Sequence, residues 1–195
     1  MERYIVENIN NYTYDFLASK VTKDRIEKAS KYRYDVDKMR SLTVEYALNK
    51  LIKSEFPDAV LPVMLTYDTF GKPSLTNNIS NSEIYISLSH AGDYAVAMIC
   101  DKPCGIDIES TDRNIEKIAK RFFSKEELES ITCDDDYFKI WTCKESILKA
   151  TGKGLAMGID TFSINNNKCV VNNNVYLCKQ IMSPSGYVIS YAVLE

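Results

Sequence analysis

The stretch Ile84-Tyr85-Ile86-Ser87-Leu88-Ser89-His90-Ala91-Gly92-Asp93-Tyr94-Ala95-Val96-Ala97-Met98-Ile99-Cys100 reads as two strands joined by a tight turn. From Ile84 to Ser89 the pattern has a period of two, the signature of a half-buried strand. Gly92-Asp93 supplies the turn, and Tyr94 to Cys100 is apolar throughout, as a fully buried strand requires. Upstream, Val44, Ala47, Leu48, Leu51 and Ile52 recur at i, i+3, i+4, i+7 and i+8, one face of a helix. That helix must stop near Phe56, because Pro57 disfavours helical geometry in the residue before it. A turn at Gly71-Lys72-Pro73 separates helix from hairpin.

Downstream the same alternation returns. Gly105-Ile106-Asp107-Ile108-Glu109 is a short strand, and Ile115, Ile118, Ala119, Phe122 and Phe123 repeat the helical spacing. Ser124-Lys125-Glu126-Glu127 fits a capping box, in which the Ser hydroxyl and the Glu carboxylate satisfy each other's backbone amides. Asp134 to Asp136 favour the start of a further helix through its dipole. That helix carries Tyr137, Ile140, Trp141, Ile147 and Leu148 and ends at Gly152 and Gly154. Strands are expected around Asp160–Ile164, Val175–Ile181 and Tyr187–Leu194. Ser89-His90-Ala91-Gly92-Asp93-Tyr94 and Ser183-Pro184-Ser185-Gly186-Tyr187 each lead into an apolar strand. The reading is an α+β fold of two similar halves, residues 1–101 and 102–195, with the carboxylate-bearing segments in the second.

Composition narrows the function. Of 195 residues, 24 are basic and 27 acidic, so the net charge is −3, which argues against a duplex nucleic-acid binder. The apolar share of 45% is that of a globular chain and excludes disorder. A single histidine excludes a His-rich zinc site. The six cysteines contain no C-x-x-C pair, which makes a zinc ribbon a poor reading. The N-terminal MERYIVENINNY lacks the basic start and apolar core of a signal peptide. The longest apolar run is Tyr94 to Cys100, far short of the roughly 20 residues that span a bilayer. A soluble cytoplasmic chain with free thiols is therefore expected.

Three segments carry chemistry. In Gly105–Glu109 the two isoleucines face one way and Asp107 and Glu109 the other, about 7 Å apart along the strand. Paired carboxylates repel each other, and a hard cation such as Mg²⁺ relieves the repulsion. The pair equally suits an ordinary strand whose polar face meets water. On the second long helix, Trp141, Glu145 and Lys149 form one line, with Lys144 and Leu148 on the adjacent line. Taken alone, this is a Glu–Lys pair on a solvated face. Glycines at 152 and 154 would let backbone approach a ligand closely. Ser87-Leu88-Ser89-His90-Ala91-Gly92 combines hydroxyls, an imidazole and turn amides suited to an anion, or is a turn with no such role. Arg25, Lys28, Arg40 and Lys72, each taken singly, read as solvated charges.

Together and in this order, Gly71-Lys72-Pro73, Ser87–Gly92, Gly105–Glu109, Lys120-Arg121-Phe122-Phe123-Ser124 and Trp141–Gly154 resemble the 4′-phosphopantetheinyl transferases, specifically the long, surfactin-synthetase-activating type. The match runs from about Lys23 to Gly158. The resemblance implies transfer of the phosphopantetheine arm of coenzyme A to a serine of an apo acyl or peptidyl carrier protein, with release of adenosine 3′,5′-bisphosphate. It implies a monomer built as a pseudo-dimer of α+β halves. By the same likeness Asp107, Glu109 and Glu145 are the Mg²⁺ ligands. Lys149 adds charge at the pyrophosphate, with Lys144 beside it. Ser89 and His90 contact phosphate, while Lys72, Arg25, Lys28 and Arg40 grip the nucleotide and Ser41 takes an adenine-side position. Glu127 falls where a base for the carrier serine would sit, although the capping box accounts for it as well. The sequence departs from the family pattern at Ser87, where Asn is frequent, and at Ala91, where Ser is.

Two other functions are compatible with the same carboxylates. A Mg²⁺-dependent nuclease or phosphohydrolase would hydrolyse a phosphodiester with no carrier, and would want a basic groove. A nucleotide- or carrier-binding module would form no covalent product and would tolerate loss of Asp107 or Glu145.

Overall fold

A computed structural model describes residues 1–76, 79–80 and 83–195, with the backbone alone given for Leu155 and Ala156. The chain divides into two compact units, Met1–Asp68 with Pro73–Lys102, and Thr69–Lys72 with Pro103–Glu195.

The first unit contains β1 (Glu2–Asn8), α1 (Tyr14–Ala18), α2 (Lys23–Ser30), α3 (Asp35–Glu55), β2 (Leu65–Tyr67), β3 (Pro73–Leu75), β4 (Tyr85–Ala91) and β5 (Tyr94–Cys100). The hairpin read from Ile84–Cys100 is present as β4 and β5, paired from Tyr85↔Cys100 to Ala91↔Tyr94. Gly92 takes φ +51°, the left-handed conformation that a two-residue hairpin turn demands. β1 adds to the far edge of β5, giving an antiparallel sheet of order β1-β5-β4. The stripe of Ala47, Leu48, Leu51 and Ile52 on α3 buries itself against Ile86, Ala97 and Ile99. α3 ends at Glu55, as Pro57 dictates, but begins at Asp35, several turns before its apolar stripe. The short elements β1, α1 and α2 have little periodicity to betray them. α1 and α2 are marked instead by Thr13 and Thr22, whose hydroxyls accept from Phe16 and Arg25 backbone N–H groups.

The second unit contains β6 (Cys104–Ser110), α4 (Glu116–Phe122), α5 (Lys125–Glu129), α6 (Asp134–Thr151), β7 (Lys168–Val171), β8 (Asn174–Ile181) and β9 (Tyr187–Leu194). Its antiparallel sheet has the order β6-β9-β8-β7. In each unit the first strand pairs with the last, and the last pairs with the strand before it. The long helix lies between the first strand and that hairpin in sequence. α6 buries Ile147, Leu148 and Ala150 among Tyr176, Cys178 and Ala192. The capping box at Ser124–Glu127 is formed, and Gly152 closes α6 with φ +74°.

Two expectations are corrected. Asp160–Ile164 is not a strand. The backbone carbonyls of Ile159 and Phe162 point at the buried Lys144 ammonium, and the Ile164 N–H donates to Glu127 Oε1, so ladder pairing is replaced by side-chain contacts. The strand comes later, as β7. The expectation of free thiols fails at one pair: Cys143 on α6 and Cys178 on β8 form a disulfide, their Cα atoms 5.9 Å apart. A helix packed directly on a strand brings Cα atoms into the range a disulfide spans. Cys100, Cys104, Cys133 and Cys169 are free, and only Cys133 is exposed.

Candidate active site

The second unit brings the strand carboxylates against the charged line of α6. Gly105 makes this possible. A Cβ on it would lie 1.9 Å from the Ser146 carbonyl oxygen and 2.9 Å from Lys149 Cβ, so β6 reaches α6 only because this residue has no side chain. Further along, the buried hydroxyls of Thr142 and Ser190 lie 2.6 Å apart and join α6 to β9. Trp141, Glu145 and Lys149 do share one side of the helix. The Trp141 indole N–H donates to Glu109 Oε1 at 3.1 Å, and Lys149 Nζ donates to Asp107 Oδ1 at 2.7 Å and to the Ile106 carbonyl at 3.0 Å. Glu145 stands on the helix between those two contacts. It makes no hydrogen bond or ion pair among the described residues.

The electrostatics match this crowding. Burial, then the charge of Asp107, raises the Glu109 carboxyl above the ordinary range, against the opposing pull of Arg113. Glu145 is pushed up to about 7, first by burial, then by Asp107 and Glu109, with Lys149 opposing. Arg113, whose Nη2 lies 2.7 Å from Glu109 Oε1, was not singled out in the sequence. Its spacing four residues after Glu109 was the available signal.

The adjacent line of α6 turns inward. Lys144 is fully buried, paired with Glu127 at 3.0 Å and lying over the Phe162 ring. Both Glu127 oxygens are engaged, Oε2 by Lys144 and the Ser124 N–H, Oε1 by the Ile164 N–H. Both residues are buried as the side chains stand. Neither presents its charge to a ligand, because each neutralises the other inside the core. Lys72, within the same unit, donates to the Ala150 carbonyl at 2.8 Å and packs beside Gly152, at the negative end of the α6 dipole.

In the first unit, Arg25 is buried rather than solvated. Its Nε lies 2.8 Å from Glu45 Oε2, and its Nη2 donates to the Tyr67 hydroxyl at 2.6 Å. Lys28 lies exposed with its ammonium 5.2 Å from the centre of the Tyr67 ring. Partial desolvation and then Arg25 lower its pKa. Glu45 and Tyr67 carried no motif in the sequence and were missed. Arg40 donates through Nε to the Gly92 carbonyl and pairs with Asp37, tying α3 to the turn that follows Ser89 and His90. Ser89 is half-buried and His90 exposed, both on β4. Ser41 is buried on α3, its hydroxyl making no hydrogen bond among the described residues.

Residues 103–192, the stretch that holds all of β6 and α6, match the model of the 4′-phosphopantetheinyl transferase superfamily. The chain belongs to that superfamily. It is 30% identical over 150 residues to the 4′-phosphopantetheinyl transferase Sfp of Bacillus subtilis, covering 74% of this chain and 66% of that protein. It is 29% identical over 170 residues to the transferase gsp of Aneurinibacillus migulanus, covering 84% and 70%. To the transferase HetI of a Nostoc species it is 29% identical over 149 residues, covering 72% and 63%. The alignments thus span about two thirds of the relatives' length. The protein is an enzyme of this class, a 4′-phosphopantetheinyl transferase.

Whether these residues suit Mg²⁺ can be tested on their chemistry. As the side chains stand, no three His, Cys, Asp or Glu groups among the described residues are gathered into an ion-binding arrangement. The donor set nonetheless fits a hard cation: all three groups are carboxylates, and Asp107 raises the pKa of both Glu109 and Glu145 by its charge. Mutual repulsion of that kind is what a divalent cation removes.

Proposed function

We propose that this transferase moves the 4′-phosphopantetheine arm of coenzyme A onto the serine hydroxyl of an apo acyl or peptidyl carrier protein, in a Mg²⁺-dependent reaction. The serine oxygen forms the new phosphoester bond and releases its proton to solvent, and the P–O bond to adenosine 3′,5′-bisphosphate breaks, the bridging oxygen leaving with the bisphosphate. The observation that carries this reading is the line Trp141, Glu145 and Lys149 lying against Asp107 and Glu109, inside the stretch that matches the family.

Asp107, Glu109 and Glu145 are the residues proposed to hold Mg²⁺. The chemistry a bound Mg²⁺ supplies is polarisation of the attacked phosphorus and neutralisation of the leaving pyrophosphate oxygens. Lys149 brings a positive charge to the same phosphates, from a stem long enough to follow them. Trp141 orients Glu109 through its indole N–H. Lys28, Arg40, Lys72, Ser89 and His90 are proposed as nucleotide and phosphate contacts, with Ser41 on the adenine side. Arg25 serves in this reading by holding Tyr67 beneath Lys28, since its own charge is matched by Glu45. Lys144 and Glu127 are assigned to the fold.

The repeat of strand order in the two units supports a pseudo-dimer of halves, residues 1–101 and 102–195, in a monomeric chain. No helix among the described residues is long and apolar enough to cross a membrane, and a cytoplasmic enzyme is proposed.

The test is direct. Incubation with coenzyme A, Mg²⁺ and several apo carrier proteins, followed by intact-mass measurement, is expected to give the phosphopantetheine adduct on the carrier serine. Asp107→Ala and Glu145→Ala should abolish it. Absence of adduct from every carrier with folded enzyme would overturn the proposal, and undiminished turnover of either variant would remove that residue from the metal site.

A further inference from the structure

One of the carboxylates proposed to hold a divalent cation, Asp107, already has a cation beside it. Lys149 Nζ lies 2.7 Å from Asp107 Oδ1 and 3.0 Å from the Ile106 carbonyl oxygen, seated between two oxygens of β6. The Asp107 side chain is 7% exposed and that of Lys149 29% exposed, so the pair sits at the edge of the buried region. Trp141 and Arg113 both donate to Glu109 Oε1, while Glu145, one helical turn before Lys149, makes no hydrogen bond or ion pair among the described residues.

We propose that Lys149 is the resident counter-ion of Asp107 and competes with the divalent cation for it, so that the cation and the phosphates of coenzyme A bind cooperatively through this one side chain. The proposal rests on the reading of Asp107, Glu109 and Glu145 as cation ligands. An ammonium in contact with Oδ1 and a divalent ion held by the same carboxylate would repel each other at close range, where Coulomb energies are largest. Lys149 must therefore leave Asp107 when the ion arrives. Its flexible four-carbon stem and partial exposure give it a path, and a bound phosphate gives its charge a new partner. Anything that draws Lys149 away tightens the cation, and by reciprocity the cation tightens whatever Lys149 turns to. Lys149 is in this sense a positioning residue that sets the order and coupling of binding.

Removing one unit charge that competes for the same carboxylate should alter ion affinity measurably, whether or not the enzyme turns over.

The experiment uses Mn²⁺ as the probe, with free Mn²⁺ followed by its electron paramagnetic resonance signal. The full-length wild type, Lys149→Met and Lys149→Arg are each titrated with and without coenzyme A. Lys149→Met keeps the aliphatic packing of the stem, and cooperative thermal unfolding of each variant verifies its fold. In the absence of coenzyme A, Lys149→Met is expected to bind Mn²⁺ about tenfold more tightly than wild type, or more, as loss of a contacting unit charge implies. Coenzyme A should tighten Mn²⁺ on the wild type but have much less effect on Lys149→Met, while Lys149→Arg should stay close to wild type. Equal or weaker binding by Lys149→Met would overturn the competition while leaving the carboxylates as ligands. Absence of Mn²⁺ binding in all three proteins, with and without coenzyme A, would overturn both the competition and the metal reading beneath it.

Discussion

Lys144 Nζ lies 3.0 Å from Glu127 Oε2, and neither side chain reaches solvent. The pair joins α5 to α6 and fixes the loop before β7, because Lys144 also donates to the carbonyls of Ile159 and Phe162 and Glu127 accepts from the Ile164 N–H. Removing one member strands a buried charge. Lys144→Met and Glu127→Gln are each expected to lower unfolding free energy by about 3–5 kcal/mol, measured by urea denaturation. Their activity losses should follow the fraction unfolded. A Glu127→Gln variant of full stability that has lost turnover would return Glu127 to the role of base.

Gly105 predicts a second, larger contrast. Gly105→Ala drives its Cβ into the Ser146 carbonyl and the backbone of Ala150, neither of which can move without moving α6. The expected cost is ~3 kcal/mol or more, with impaired folding, since backbone overpacking has no rotamer to relieve it. Gly186→Ala is the control. Its Cβ would meet nothing within 4 Å, and only the φ of +79° is unfavourable, so it should cost about 1 kcal/mol. Thermal unfolding of the two variants side by side tests whether close approach or backbone conformation dominates.

Asp136 gives a pH prediction. Its Oδ2 accepts from Thr132 N–H, Thr132 Oγ1 and Cys133 N–H, and its Oδ1 from Lys139, which hold its carboxyl well below the usual range. Lys139 is the largest cause and the Thr132 bonds come next. A folded-state pKa below the unfolded value means the folded protein binds fewer protons. The stabilisation is therefore complete above the ordinary carboxylate range and is lost as pH falls through the folded value. Asp136→Asn should cost about 1 kcal/mol at neutral pH, the usual worth of a helix N-terminal cap. The difference from wild type should shrink on acidification. A difference independent of pH in denaturation curves would show that the ionised form is not what stabilises α6.

The disulfide can be counted. Six cysteines less the Cys143–Cys178 pair leave four free thiols. Alkylation of the unfolded, unreduced protein should therefore label four sites and, after reduction, six. With the two cysteines 35 positions apart along the chain, reduction should lower stability by about 2–4 kcal/mol in chemical denaturation. Labelling of all six without reductant would show the pair to be open.

Much of the fold was readable because it rests on periodicity. The stripe from Val44 to Ile52, the alternation from Ile84 to Ser89 and the apolar run to Cys100 became α3, β4 and β5. Where the pattern was weak, reading failed. β1 interleaves Glu2, Arg3 and Glu7 with its apolar residues and is held by β5 rather than by its own pattern. Asp160–Ile164 has strand-like composition, yet its backbone groups are taken by Lys144 and Glu127, which lie far away in sequence. Spacing showed that Asp107 and Glu109 share one strand face and that Trp141, Glu145 and Lys149 share one helix line, while reading them as a site came from the family resemblance. Arg25 was not: nothing local signals that Glu45, twenty residues on, would bury its charge.

The sequence by itself determined which residues share a face: Asp107 with Glu109, Trp141 with Glu145 and Lys149, Lys144 with Leu148. It also determined the family, through motifs whose order and spacing survive in one dimension. Only the tertiary structure decided what each face meets. It turned Lys144 of α6 into the core against Glu127 and Lys149 toward Asp107, and it closed Cys143 on Cys178. The physical reason is that periodicity is set by local backbone geometry. The partner of a charge or a thiol is set by packing between segments distant along the chain, where burial makes an unmatched group costly.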